Sequence, residues 1–477
     1  MEQTHKGITK YVTLLTISGV AAVAYAVITG ELALSLIVAI LPCVLSYAYM
    51  ALNMPIVFWL SILCVNYFIM GVLRYVNFTG VSVIMDGLLL SLLLLIAIHS
   101  VIHKNIHWKN LNCILVYGCL VWLIFCFLEL FNPTGMVSAW VGSRSLMFCG
   151  LLVSIVTLLV FTKREYLHWF INVLSILTFF AILKAFMQKF IGFDRAEQLW
   201  LDAGGAKTHI IYSGIRYFSF FTDASNMGSC MAFASFFFGV VMLYTKSNFL
   251  KVWYAVVASL SFYVLLLSGT RGSMIVILAG IAAYTVLVKN IPLMLTSAVG
   301  LLLFYVFFAF TMIGQGNPQI RRMRTAFRPT EDASFMVRMV NQEKLAKHLE
   351  GKWFGEGLGL SGVENKRYSV RLTTIIPNDS WLVKIWVETG VVGITLYLSI
   401  LCAIFLRASY IVMGKVKERQ LRGIYIAIIG GSFGLLCSSY GNSFFGQYPS
   451  HYIFYMCLAM VMNYKYLENN PEPELNT

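Results

Sequence analysis

Charge is scarce in this sequence. Of its 477 residues only 12% are Asp, Glu, Lys or Arg, roughly half the share of a soluble protein, and no stretch is polar enough for a separate soluble domain. Paired cysteine motifs are missing too. The ten cysteines (Cys43, Cys64, Cys113, Cys119, Cys126, Cys149, Cys230, Cys402, Cys437 and Cys457) lie within or beside apolar runs, none in a CxxC pair, so neither a disulfide framework nor a zinc site is implied. There is no HExxH, no P-loop, no Rossmann glycine pattern and no acidic pair at metal-ligand spacing. The eight histidines are scattered. No metal and no cofactor are expected. Low-complexity tracts and conspicuous repeats are also absent.

What fills the chain instead is hydrocarbon. It is 59% hydrophobic, with a mean hydropathy of +0.78. Runs long enough to cross a core of ~30 Å recur from end to end. The expectation is an all-α polytopic membrane protein of about fourteen transmembrane helices. The spans begin near Tyr11, Leu32, Pro55, Gly80, Asn112, Arg144, Leu167, Ser225, Lys251, Ser273, Ile291, Ser380, Leu421 and Tyr448. Residues 1–477 read as one membrane domain: spans 1–11 over 1–313 with a loop at 193–224, a large loop at 314–379, and spans 12–14 over 380–477. "AVAYA" faintly resembles a signal-peptidase site, but the first apolar run is read as a retained helix.

The short loops carrying Lys104 and Lys109, Lys163 and Arg164, Lys246 and Lys251, and Lys415 to Arg422 all fall on the side of the N-terminus. The positive-inside rule makes that side, and with an even span count both termini, cytoplasmic. The two long segments then face outward. Arginine concentrates there: Arg74, Arg144, Arg195, Arg216, Arg271, Arg321, Arg322, Arg324, Arg328, Arg338, Arg367 and Arg371, against Arg164, Arg407, Arg419 and Arg422 inside. A guanidinium fork suits bidentate binding of phosphate or carboxylate, so the outer face reads as an anion site. The bland alternative is that long loops translocate whatever their charge and that some of these arginines pair with local acids. The net charge of +14, with no soluble basic domain, points to membrane lipids as partners and away from nucleic acid.

Four stretches hold the candidate residues. In "SGTRGS" a turn too short to leave the membrane surface holds Arg271 at the bundle mouth. In "ASFMVRMVNQEKLAKHLEGKWFGEGLGL", Asp332 or Ser334 caps a helix to about Glu350. Its stripe Phe335, Met339, Leu345 and Leu349 suits a helix resting on the membrane, with Arg338 beside it. Upstream, Arg321, Arg324 and Arg328 share one face if helical, in a supporting role. "GIRYFSFFTDASNMGS" offers Arg216 and Asn226, with Asp223 or Ser225 as a helix cap. In "PNDSWLVKIWVETGVVG", Asn378 or Asp379 is expected as the N-cap of a helix starting at Ser380. Glu388 falls about two turns into that helix, where a carboxylate needs a partner, and Gly390 and Gly393 allow close backbone approach.

In their order and spacing, the "SGTRG" hairpin, the long arginine-bearing loop, "GEGLG" and a polar pair shortly before "GVVG" resemble the O-antigen ligase and polymerase superfamily, over about Arg216 to Gly393. The resemblance implies a GT-C-like membrane glycosyltransferase of the bacterial inner membrane. It would work without a metal at the periplasmic face on an undecaprenyl-pyrophosphate-linked oligosaccharide. Arg271 and Arg338 match the family's functional arginines, with Arg216 a weaker third. Asp379 stands where ligases carry histidine, a departure that favours a Wzy-type polymerase of O-antigen, capsule or exopolysaccharide, which could work with a chain-length regulator. On this reading Arg271, Arg338 and Asp379 are catalytic. Arg144, Arg216, Asn226, Arg321, Arg324, Arg328, Asn378 and Glu388 are substrate-binding candidates. A ligase delivering the glycan to a lipid core or protein is the alternative. A lipid-linked oligosaccharide flippase ranks below both, because related halves and charges through the membrane interior are missing.

Overall fold

The computed structural model describes residues 44–76, 80–104, 106–211, 214–316, 320, 321, 324, 327 and 333–469. Among these the architecture is helical, and the one sheet is a ribbon pairing Ile210–Ile211 with Gly214–Ile215. Eleven helices among the described residues are long and apolar enough to cross a membrane. We label them with one further helix and a shorter apolar one, in chain order. The first nine are α1 Pro55–Val72, α2 Val81–His103, α3 Ile114–Phe131, α4 Val137–Val160, α5 Arg164–Phe190, α6 Ala224–Tyr244, α7 Asn248–Ser268, α8 Arg271–Val288 and α9 Ile291–Phe310. Then come α10 Ala333–His348, α11 Trp381–Gly414, α12 Arg419–Ser438 and α13 Ser450–Met462. The protein is thus a multi-pass membrane protein. Eleven of the fourteen expected spans have a helix long enough to cross, the one expected near Tyr448 has only the shorter α13, and the starts at Tyr11 and Leu32 lie outside the described residues, so a count of fourteen is not established.

The described chain separates into two units. In the one formed by 44–61 and 91–106, His99 donates from Nδ1 to the Leu52 carbonyl at 2.8 Å. The other comprises 62–90 and everything from 107 onward, and all that follows concerns it. Its core is the face of α6, whose small and aromatic residues are buried over most of the helix, together with α12, buried nearly all round. Both read as helices hydrophobic on every side, the pattern of a bundle interior. Loops assigned to one side by their lysines do meet at one end. There Arg164 donates to Glu418 at 2.6 Å and Lys289 to the Met413 carbonyl at 3.1 Å.

At the other end α11 is broken. Gly390 has φ 67 and ψ −167 inside an otherwise continuous helix, a conformation that favours glycine. Residues 391–414 alone rise about 36 Å at 1.5 Å per residue, enough for the ~30 Å core, so the short half-helix from Trp381 to Thr389 is surplus to the span. Into the break runs the turn after α10. Glu356 donates its N–H to the Val387 carbonyl (2.9 Å), Gly357 to Glu388 (3.0 Å), and Val392 returns one to Trp353 (3.3 Å). Carbonyls orphaned by the break are thereby paired, as burial requires. A Cβ on Gly390 would lie 2.0 Å from the Trp353 oxygen, so the close approach expected of this glycine is real.

Gly390→Ala therefore faces a left-handed backbone costing about 1–2 kcal/mol and a direct clash with the docked turn. The expected outcome is a lowered melting temperature in detergent with new proteolytic cleavage around 350–358. A variant as stable and protease-resistant as the parent would show that the turn is not held by this contact.

Candidate functional site

The site is built where the N-terminus of α11, the α7–α8 turn and the loop before α6 converge. The α7–α8 turn closes on Gly269, a left-handed C-cap with φ 58, and a single 3-10 turn from Arg271 to Ser273 leads into α8. Arg216 is laced onto that turn: Nε donates to the Ser268 carbonyl (3.2 Å) and Nη2 to Thr270 Oγ1 (2.9 Å). Its Nη1 reaches the Thr208 carbonyl at 3.1 Å. Burial holds the Arg216 guanidinium below its ordinary pKa; Asp223 offsets this, and the charges of Arg271 and Arg338 add to the lowering. Arg271 and Arg338 thus both stand within electrostatic reach of Arg216.

The loop 193–223 is fixed by groups that a sequence does not advertise. Arg74 donates to the carbonyls of Ser219 (2.8 Å) and Thr222 (3.3 Å) and also to Phe221. Its guanidinium lies over the rings of Phe218 (4.4 Å) and Trp200 (4.8 Å). Asp194 and Glu197 form a capping box. Asp223 caps α6, accepting from Ser225 and Asn226 N–H at 2.7 and 2.9 Å, which settles the choice of cap in its favour. His209 accepts the Ala224 N–H at 3.2 Å; burial pushes its pKa down.

The "NDS" stretch corrects the expectation. The N-cap of α11 is Ser380, whose Oγ accepts from Val383 N–H at 3.3 Å, and neither Asn378 nor Asp379 caps the helix. Asn378 instead accepts from Ser361 Oγ at 2.8 Å, while its amide nitrogen is buried without a hydrogen bond. Asp379 is left to face Arg338, with 3.9 Å between Oδ2 and Nε. Burial raises the Asp379 carboxyl above the usual range, and Arg338 pulls part of that back. The start of α11 is joined to the arginine turn through the loop after α12. Trp381 N–H donates to the Ser439 carbonyl (3.0 Å), and Ser438 Oγ to the Gly272 carbonyl (2.9 Å).

Arg338 itself rides on α10, which is held mainly by its far end. Leu345 and Leu349 pack against Ile376 and Val387. Met339 is exposed and Phe335 only half-buried, so the expected four-residue stripe contacts protein through its C-terminal half alone. Behind this contact lies Glu356, which accepts from Lys352 (2.8 Å) and Arg371 (3.0 Å) and meets His348 at 3.2 Å. Arg371 continues to the Thr134 carbonyl at 2.6 Å. Burial alone would raise the Glu356 pKa, but Lys352 and Arg371 hold it below the ordinary value. Glu356 lies inside "GEGLG" and is absent from the residues expected at the site. The signal was a lone acid among lysine, histidine and arginine.

The remaining candidates separate. Arg144 is engaged by Asp86 (3.0 Å) and Ser82 Oγ (2.6 Å). Asn226 is fully buried, its amide donating to the Tyr448 carbonyl and accepting from Ser450 Oγ, both at 2.7 Å. Arg324 is buried against α9, donating to Thr311 Oγ1 (3.4 Å) and the Ile313 carbonyl with its guanidinium over Phe307. Arg321 is exposed, so these two do not form the shared face expected of them. Arg328 and the cap candidate Asp332 lie outside the described residues, as do the side chains of Ser334 and its neighbours. Glu388 is wholly buried in the half-helix before the break, with Lys384 Nζ at 3.9 Å.

Comparison with known proteins adds two findings. Residues 254–398 match the family model described as O-antigen ligase. The chain is also 26% identical over 277 residues to the teichuronic acid biosynthesis protein TuaE of Bacillus subtilis (strain 168), a stretch covering 55% of this chain and 56% of that protein. The chain therefore spans about half the length of that relative. The resemblance to the ligase and polymerase superfamily read from the motifs is borne out over the matched segment.

Glu356→Gln is expected to lower stability by roughly 1.5–3 kcal/mol, the range for hydrogen bonds to a charged group. Its depressed pKa means this contribution is present above the unfolded value and disappears as pH falls through the folded one. Melting curves of parent and variant should therefore converge in acid. A gap that is unchanged from neutral to acid pH would show that the charge is not what matters.

Proposed function

We infer, from a multi-pass chain whose residues 254–398 match the O-antigen ligase family model, that this protein is a glycosyltransferase of polysaccharide assembly. It extends a lipid-pyrophosphate-linked oligosaccharide at the outer face of the bacterial cytoplasmic membrane. The observation that carries this reading is Arg338 facing the carboxylate of Asp379, with Arg271 and Arg338 both close enough to Arg216 to act on its charge. The likeness to a protein of teichuronic acid biosynthesis supports polysaccharide assembly in general.

In the proposed step an acceptor sugar hydroxyl attacks the anomeric carbon of the donor. A C–O bond forms, the bond from that carbon to the pyrophosphate oxygen breaks, and its electron pair leaves with the lipid pyrophosphate. The hydroxyl proton passes to Asp379. Negative charge grows on a leaving group that is already anionic, and Arg271 and Arg338 take it. One preorganised donor is worth roughly 3–4 kcal/mol in other enzymes. Arg216, tied into the Arg271 turn by Ser268 and Thr270, fixes the geometry and adds to the field. Ser380 holds the helix start, so Asp379 has no capping duty and is available as base. Undecaprenyl pyrophosphate is the donor lipid this reading takes from the superfamily resemblance, and no metal is assigned a part.

A ligase, passing the whole glycan to a lipid core or protein, is the second reading, favoured by the name of the matched family. The aspartate at the usual histidine position favours polymerisation. Purified protein in nanodiscs, given undecaprenyl-pyrophosphate-linked repeat units alone, should produce a ladder of repeats. Transfer only on addition of a lipid-core or protein acceptor would establish the ligase, and no transfer with either would overturn the reading.

Within that assay Arg271→Lys and Arg338→Lys should each lose at least ~100-fold in kcat, because the planar fork is lost though the charge is kept. Asp379→Asn should lose about 10²–10⁴-fold. Wild-type activity should fall as pH drops through the Asp379 pKa, which burial raises above the usual carboxylate range. An active Asp379→Asn enzyme with the same acid limb would remove Asp379 from the chemistry.

A further inference from the structure

Beside the arginine cluster lies a second polar feature that the proposed step leaves unused. A partly open cavity of about 120 Å³ is lined by α4, the start of α11, the loop 361–379 and the start of α13. At roughly 10–15 Å³ for each water, it has room for on the order of ten, comparable to one monosaccharide ring. Trp381 and Leu146 form its apolar wall, and Glu388, Lys384, His451 and Asn365 its polar one.

Two of these groups are unusual. Glu388 is wholly buried, and neither carboxylate oxygen has a partner in full hydrogen-bond geometry, the Gly359 backbone being the group that comes near. His451 is 5% exposed, and neither ring nitrogen has a partner in full hydrogen-bond geometry, the Phe445 backbone being the group that comes near. Buried polar groups left unpaired cost about 1–3 kcal/mol each, so two side chains in one cavity with this deficit point to a ligand that completes them.

Chemistry narrows the ligand. A phosphate or carboxylate would meet the Glu388 carboxylate, and a cation would meet the Lys384 ammonium 3.9 Å from it. An isoprenoid tail would leave the orphaned atoms unpaired. A neutral ring with hydroxyls on its edge and C–H groups on its face satisfies every wall: carboxylate and imidazole take hydroxyls, lysine donates, and the indole of Trp381 covers the apolar face. Position agrees, because Trp381 and Lys384 follow Asp379 in the same chain segment. We propose that this cavity is a saccharide subsite that holds a neutral sugar of the acceptor end, with Glu388 and His451 as its specificity-determining residues. The proposal rests on the glycosyltransferase reading and names where the acceptor sits.

The test uses the full protein in nanodiscs and saturation-transfer NMR with six free sugars: glucose, galactose, mannose, rhamnose, N-acetylglucosamine and N-acetylgalactosamine. Inorganic pyrophosphate titrated by calorimetry is the parallel probe of the arginines. At least one sugar should bind the parent, and Glu388→Gln and His451→Gln should each weaken it at least tenfold while leaving pyrophosphate affinity and melting temperature unchanged. If no sugar binds the parent, or if a folded Glu388→Gln binds it equally well, the subsite is wrong. Pyrophosphate binding that persists in that case leaves the donor assignment standing. Sugar binding without pyrophosphate binding would sink the donor assignment and keep the subsite.

Discussion

A helix that cannot continue is the constraint on which the rest of this site depends. At Gly390 the backbone of α11 leaves helical geometry, and its carbonyls on the N-terminal side would be orphaned inside the protein. The turn from Trp353 to Gly357 supplies the missing donors. A loop of the long segment is thereby sewn into the membrane bundle by main-chain hydrogen bonds, which depend little on side-chain identity but strictly on the absence of a Cβ at the crossing. Because Glu356 sits in that turn and gathers Lys352, Arg371 and His348, the same contact fixes the far end of α10. Arg338 is then presented to Asp379 by a braced helix.

The arginines divide by what surrounds them. Arg74 donates to backbone carbonyls, Arg324 donates from Nη2 to a carbonyl and a hydroxyl, both lie over aromatic rings, and Arg144 pairs with an acid; these shape the protein. Arg216 is partly spent, holding the turn of Arg271. Arg338 makes one long ion pair, to Asp379, and its side chain is about a third exposed, 35%. A composition rich in arginine on one side therefore mixes scaffold and site. Preorganisation of the second set is the work of the first, which is how fixed dipoles and charges stabilise a transition state without rearranging.

Much of this was legible in the chain. Eleven of the spans followed from hydropathy and length, and the tight arginine turn and the close approach at Gly390 were legible as well. Each rests on local sequence. What escaped depends on contacts between distant residues. A base rate favours Asp379 as a cap, yet Ser380 caps, because Ser380 also reaches the Ser439 carbonyl and the helix start is set from α12. The amphipathic stripe of α10 suggested a membrane surface, but Val387 and Ile376 supply half of its partner. Arg324 had the spacing of a surface face and is buried by a neighbour, α9, that spacing does not see. Glu356 stands inside "GEGLG", a motif that does not itself name its partners, and His451 belongs to no motif at all.

The claim that the docked turn positions the arginine is open to a double-mutant cycle on inorganic pyrophosphate affinity, with Arg338→Ala and Gly390→Ala singly and together, all in nanodiscs. If the break positions α10, the Gly390→Ala background has already lost the Arg338 contribution. The second mutation should then add almost nothing, leaving a coupling energy close to the whole effect of Arg338→Ala. Losses that simply add would contradict the account, because they would show Arg338 binding pyrophosphate without regard to how its helix is held.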